Sequence, residues 1–144
     1  MYKLIFLLEA IRIYAKDCHY NLSGIDYLQW HKFMDEIADP IDDFQDEIKE
    51  CVFLYSATDV PRGTEINAEA AQYVPKDLGS NESMLKNMRA LLSMTVAHIN
   101  NTKPDDTGTG DILSRLGVHL QKMIGLINLA VKEVKDDKAS DSKN

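Results

Sequence analysis

Apolar residues recur along this chain at the three-to-four-residue spacing of an α-helix, and no stretch keeps the two-residue alternation of a half-buried strand. Residues 2–21 place Leu4, Leu7, Leu8, Ile11, Tyr14, Ala15 and Cys18 on one face of a first helix. Asn21-Leu22-Ser23-Gly24 reads as a turn. Residues 25–56 predict a long second helix with Leu28, Met34, Ile37, Ile41, Phe44, Ile48 and Val52 inward. Pro40 lies inside it, where it should kink the helix for want of an N–H, or else open a new helix after Asp39. A third helix is predicted over 81–101 around Met84, Leu85, Met88, Leu91, Leu92 and Thr95. A fourth spans 109–135 around Ile112, Leu113, Leu116, Leu120, Met123, Ile124, Ile127 and Val131.

The connections organise these helices. Short links join the first helix to the second and the third to the fourth, so each pair forms a hairpin. Residues 58–79 make one long link, with a short helix expected over 67–73. The fold class is therefore all-α: a ferritin-like four-helix bundle with a long crossover containing a short helix. At 144 residues and 16.3 kDa the chain fits one domain, 1–135, followed by a short charged C-terminal tail, 136–144.

Composition narrows the setting. Hydrophobic residues at 44% and charged residues at 27% exclude bulk disorder. Two cysteines, Cys18 and Cys51, are too few for a disulfide framework. The opening run Leu4-Ile5-Phe6-Leu7-Leu8 is broken by Glu9 and Arg12 before it reaches signal-peptide length, and nothing approaches a membrane span of about 20 apolar residues. A cytoplasmic protein with reduced thiols and no membrane partner is expected. The net charge of −7 opposes nucleic acid, whose binding depends on cations neutralising phosphates.

The candidate chemistry lies between residues 19 and 50. His31 and Asp35 are four apart and share a helix face, as do Asp46 and Glu50. Asp35 and Asp46 are eleven apart, which returns almost to the same stripe, and His19 ends the preceding helix. Imidazole and carboxylate together suit iron, manganese or zinc. One chain does not gather them, because eleven helical residues span roughly 16 Å while metal–ligand bonds are about 2 Å. Two copies of the second helix, antiparallel about a twofold axis, would bring His31 and Asp35 of one chain to Asp46 and Glu50 of the other. The Glu-x-x-His element of an intra-bundle di-iron centre is missing. A helix rich in Asp and Glu is also what a solvated face looks like, and spacing alone leaves both readings open.

The full set His19, His31, Asp35, Asp46 and Glu50 resembles the metal-site pattern of the Dps family, the mini-ferritins called DNA-binding proteins from starved cells. Asn21, Gly24, Asp26, Glu36 and Pro61-x-Gly63-Thr64 add to the likeness, which covers roughly residues 4–130. The resemblance implies a homo-oligomer, a hollow dodecamer with ferroxidase centres at twofold interfaces. Fe(II) would be oxidised there, typically by hydrogen peroxide, and stored as ferric mineral, so the implied metal is iron as Fe2+/Fe3+. By the same resemblance all five residues are catalytic and metal-binding. His19 from the partner chain, with Asp46 and Glu50, would hold the tighter iron, and His31 and Asp35 a second position. The alternative is a non-catalytic helical assembly or DNA-compacting protein with a vestigial metal site.

Other residues carry smaller expectations. Tyr20 stands where the family often has tryptophan, and Trp30 beside His31 is a candidate aromatic electron donor. Asp105, Asp106 and Asp111 fall where the family lines acidic pores, yet acidic residues also suit a helix N-terminus. His98 and His119 read as ordinary packing or surface histidines. DNA binding is expected to be weak or absent. The chain has only eighteen residues before His19, and its tail lysines Lys132, Lys135, Lys138 and Lys143 are balanced by Glu133, Asp136, Asp137 and Asp141.

Overall fold

A computed structural model of the chain describes residues 1–132, and every regular element among them is helical. The helices are α1 (Tyr2–Asn21), α2 (Tyr27–Ile48), α3 (Gly63–Ala70), α4 (Asn81–Asn100) and α5 (Thr107–Ala130). α2 passes without a break into a π-helical segment, Lys49–Leu54. No described helix is long and apolar enough to cross a membrane.

α1 is the central element and packs against α2, α3 and α4, while α2 and α4 both pack against α5. Its sequence explains that position. Leu4, Ile5, Leu7, Leu8, Ala10, Ile11 and Tyr14 cover most of its circumference, and all are buried. Each fully buried Leu or Ile contributes about 1.5–3 kcal/mol, so a helix apolar on several sides is most stable with neighbours on several sides. Glu9 is the polar exception in this layer. Burial pushes its carboxyl up, but hydrogen bonds from Arg12 and Gln45 and the nearby charges of Arg12 and Lys49 outweigh that, and its pKa ends below the usual value.

The ends of the helices are fixed by identifiable bonds. Ser80 caps α4, accepting from the Ser83 N–H at 3.1 Å, and Asp106 caps α5, accepting from the Thr109 N–H at 2.8 Å. The α1–α2 turn contains Gly24 at φ +88°, a conformation side chains resist. Asn81, at the start of α4, bonds both the N–H and the carbonyl of Ser23 and ties that turn to the second hairpin.

Several expectations need correction. α2 starts at Tyr27, so Ile25 and Leu28 lie outside the core, 101% and 77% exposed, where Leu28 was expected inward. Phe44 is half-buried against His119 rather than part of the core proper. α2 runs through Pro40 as one helix, so the break after Asp39 does not occur. A proline costs one hydrogen bond, and the buried neighbours Ile37, Ala38 and Ile41 hold the helix through it. The crossover helix is Gly63–Ala70, earlier than 67–73, because Arg62 rather than a later residue takes the extended N-cap position. α5 ends at Ala130, short of residue 135. Residues 133–135 of the predicted domain and the tail 136–144 lie outside the described residues.

The second-helix assembly ends at Ala57, which takes φ +53°. The Thr58 N–H bonds the Phe53 carbonyl at 2.8 Å and the Ala57 N–H bonds that of Leu54 at 3.1 Å, the paired bonds of a helix end that glycine normally completes. Alanine there costs roughly 1 kcal/mol of left-handed strain. Ala57→Gly is therefore expected to raise unfolding free energy by up to about 1 kcal/mol, read as a higher urea midpoint at unchanged slope.

Candidate metal centre

The turn that Asn81 anchors brings the end of α1 against the start of α2, and two histidines meet there. The rings of His19 and His31 stack with centroids 3.4 Å apart. His19 Nδ1 lies 3.1 Å from the His31 backbone carbonyl, and His31 Nδ1 lies 2.8 Å from the His19 carbonyl. A carbonyl oxygen only accepts, so each Nδ1 must carry its hydrogen. In the neutral rings both Nε2 lone pairs are then free, the form in which imidazole binds a metal.

Asp35 completes this group. Its Oδ1 lies 3.1 Å from His19 Nδ1 and 3.3 Å from Lys16 Nζ. Tyr20 meets His19 edge-on at 4.9 Å, and the Tyr27 ring is 5.0 Å from His31. Trp30, the candidate aromatic donor beside His31, packs on Phe33 at 5.9 Å, and Tyr20 and Tyr27 are the rings recorded against the imidazoles.

Asp46 and Glu50 stand elsewhere. Asp46 borders a groove shared with Glu9, Arg12, Asp42, Gln45 and Lys49, and Glu50 is exposed on the π-helical segment. They are eleven or more residues down the same helix from Asp35, a rise of roughly 16 Å. The five residues therefore form two partial sets in one chain: His19, His31 and Asp35 at one end of α2, Asp46 and Glu50 at the other. Among the described residues, no three His, Cys, Asp or Glu side chains converge on a point that could hold a metal ion.

Two participants were not foreseen. Lys16 lies three residues before His19 on the same face of α1, and Tyr27 four before His31 on α2, spacings that place both beside the imidazoles. Of the other candidates, Asp106 serves as the cap of α5, and Asp111 pairs with Arg115, which also grips Glu47 through two bonds of 3.0 Å. His119 packs on Phe44 with its Nε2 3.2 Å from the Ile37 carbonyl, and burial lowers its pKa. Burial likewise lowers that of His98, helped by Lys3, and its Nε2 has no hydrogen-bond partner among the described residues.

Cys18, beside His19, is fully buried, and desolvation raises its thiol to about 12. Thiolate is the reactive form, so this sulfur should be inert in the folded chain. A Cys51→Ser variant is expected to show no reaction with a disulfide reagent at about pH 8 until denaturant is added, then one thiol per chain. Prompt reaction without denaturant would contradict the burial.

No family model, no curated protein and no solved structure matches this chain.

Proposed function

We propose that this chain is a subunit of an iron-oxidising, iron-storing cage of the ferritin-like kind, with ferroxidase centres formed between two subunits. The observation that carries the reading is the division of five metal-type donors into two partial sets on one helix. The second set lacks imidazole altogether, and the first has a single carboxylate. His19, His31 and Asp35 supply imidazole with one carboxylate, and Asp46 and Glu50 supply carboxylates. Antiparallel packing of α2 against its copy about a twofold axis would join unlike sets twice, giving two identical centres per dimer.

The distribution of exposed apolar groups supports this arrangement. Tyr20, Ile25 and Leu28 flank the histidine end, and Leu54 and Tyr55 follow Glu50 at the other end. An antiparallel pair would set these clusters against each other and take them out of water. The pairing of α1 with α2 and of α4 with α5, linked by a crossover carrying α3, suits the ferritin-like plan.

In this reading iron is substrate. The bare Nε2 atoms of His19 and His31 bind Fe(II) from one side, and the carboxylates of Asp46 and Glu50 bind it from the other. Carboxylates favour Fe(III) over Fe(II) because the attraction grows with the ion's charge. Two Fe(II) ions each give one electron to hydrogen peroxide, whose O–O bond breaks. With two protons, two waters and two Fe(III) result.

A second reading has one observation in its favour. Asp35 already has cationic and hydrogen-bonding partners in Lys16 and His19, as an ordinary polar cluster in a non-catalytic helical assembly would.

Anaerobic Fe(II) mixed with peroxide should develop ferric absorbance at least tenfold faster with wild-type protein than with a His31→Ala, Asp46→Ala double variant. Equal rates would leave the non-catalytic reading. Light scattering should give a particle of roughly 200 kDa, twelve chains of 16.3 kDa, and a monomer in solution would leave every centre with half its donors.

A further inference from the structure

α5 holds α2 on both sides of Pro40. His119 Nε2 lies 3.2 Å from the carbonyl of Ile37, just before the proline, and a carbonyl only accepts, so the ring donates. One turn earlier on α5, Arg115 donates twice to the Glu47 carboxylate, beyond the proline, at 3.0 Å each. Phe44 lies between these contacts. His119 stacks on its ring at 6.3 Å, and the Arg115 guanidinium is 5.8 Å from the ring centre. The spacing of Ile37, Phe44 and Glu47 puts all three on one face of α2. Arg115 is itself oriented by Asp111, which accepts from its Nε at 2.9 Å.

The stretch held in this way is the weak point of α2. Pro40 has no N–H, so the Glu36 carbonyl loses its usual partner, and the proline ring crowds it. A helix bends at such a place, by an angle that outside contacts can fix. The Ile37 carbonyl has two lone pairs, so it can accept from His119 without leaving the helix. We infer that His119 and Arg115 form a splint across Pro40, positioning residues that fix the bend of α2 and with it the direction of Asp35, before the proline, relative to Asp46, after it. The consequence for the donors rests on the intersubunit centre proposed above; the splint itself does not. In an antiparallel pair the bend counts twice, because two like rods must match at both ends at once. Neither His119 nor Arg115 is among the five donors, and both act through the shape of α2.

The splint is testable first in the metal-free protein. His119→Phe keeps a ring on Phe44 and removes the donor. Amide hydrogen exchange over residues 41–46 should then quicken at least tenfold relative to α1 of the same protein. His119→Gln supplies an amide donor instead and should stay within threefold of wild type. Pro40→Ala returns the missing N–H, so in that background His119→Phe should change exchange less than threefold. Arg115→Met, at an exposed position, should quicken the same amides at least threefold even if His119→Phe fails to fold. Zinc(II) titrated calorimetrically into the assembled protein should bind His119→Phe at least fivefold more weakly than wild type, and His119→Gln within twofold. Unchanged exchange in the single variants, or an equal rise with and without Pro40, would overturn the splint and leave the proposed centre standing. Faster exchange with unchanged zinc affinity would overturn the positioning role. No zinc bound by wild type would remove the centre, and the exchange pattern would still decide the splint.

Discussion

An α-helix rises only about 1.5 Å per residue, and this sets the terms for everything the chain can do with its metal-type side chains. α2 is a single rod from Tyr27 to Ile48, continued by Lys49–Leu54, and it carries four of the five candidate donors. Side chains eleven residues apart on such a rod share a stripe and never share a ligand. The chain therefore brings His19 back beside His31 through a tight turn, but among the described residues it has no comparable device for Asp46 and Glu50. Any centre using all five must borrow half of itself from another copy.

The stiffness of that rod matters as much as its length. Pro40 removes a backbone donor from the middle of α2, yet the helix persists because Ile37, Ala38 and Ile41 are buried on its inner side. Beyond Ile48 the winding loosens into π-helix, a form that is rare and often found where function asks for an unusual side-chain direction. Glu50 lies in that loosened stretch while Asp46 lies in regular helix. Their relative direction therefore differs from that of His31 and Asp35, although both pairs are four residues apart in sequence.

Much of this was legible in the sequence, and the reasons are physical. The apolar period identified the four long helices and most of their buried positions, because burial of one face is what stabilises a helix in water, but it passed over Ile5, Phe33, Phe53 and Ile99, which are buried beside or beyond the stripes it traced. Leu28 was misread because periodicity does not show where a helix begins: the Gly24 turn delays α2 to Tyr27 and leaves Leu28 in its exposed first turn. The facing of His31 with Asp35 followed from spacing. Lys16 did not stand out, since a lysine on a helix usually points at water, and only the packing of α1 on α2 shows that this one meets Asp35. The reciprocal ring-to-carbonyl bonds of His19 and His31 were equally invisible, because they join side chains to backbone across a turn.

Charge connects assembly to metal in the proposed dimer. The outer stripe of α2 bears Asp35, Asp39, Asp42 and Asp46, with Glu50 beyond them. Two such stripes laid antiparallel would bring carboxylates toward carboxylates, and taking them out of water costs several kcal/mol per ion unless cations accompany them. Some cations are already in place: Arg12 lies 3.5 Å from Asp42, Lys16 is paired with Asp35, and Lys49 borders the Asp46 groove. They are fewer than the carboxylates of that face. A divalent ion between the two partial sets would supply the missing positive charge where it is most concentrated. Metal binding and subunit pairing would then be linked reactions, each favouring the other by the same free energy. The exposed apolar clusters at the two ends of α2 supply the non-ionic part of the contact, so the pair need not depend on metal alone.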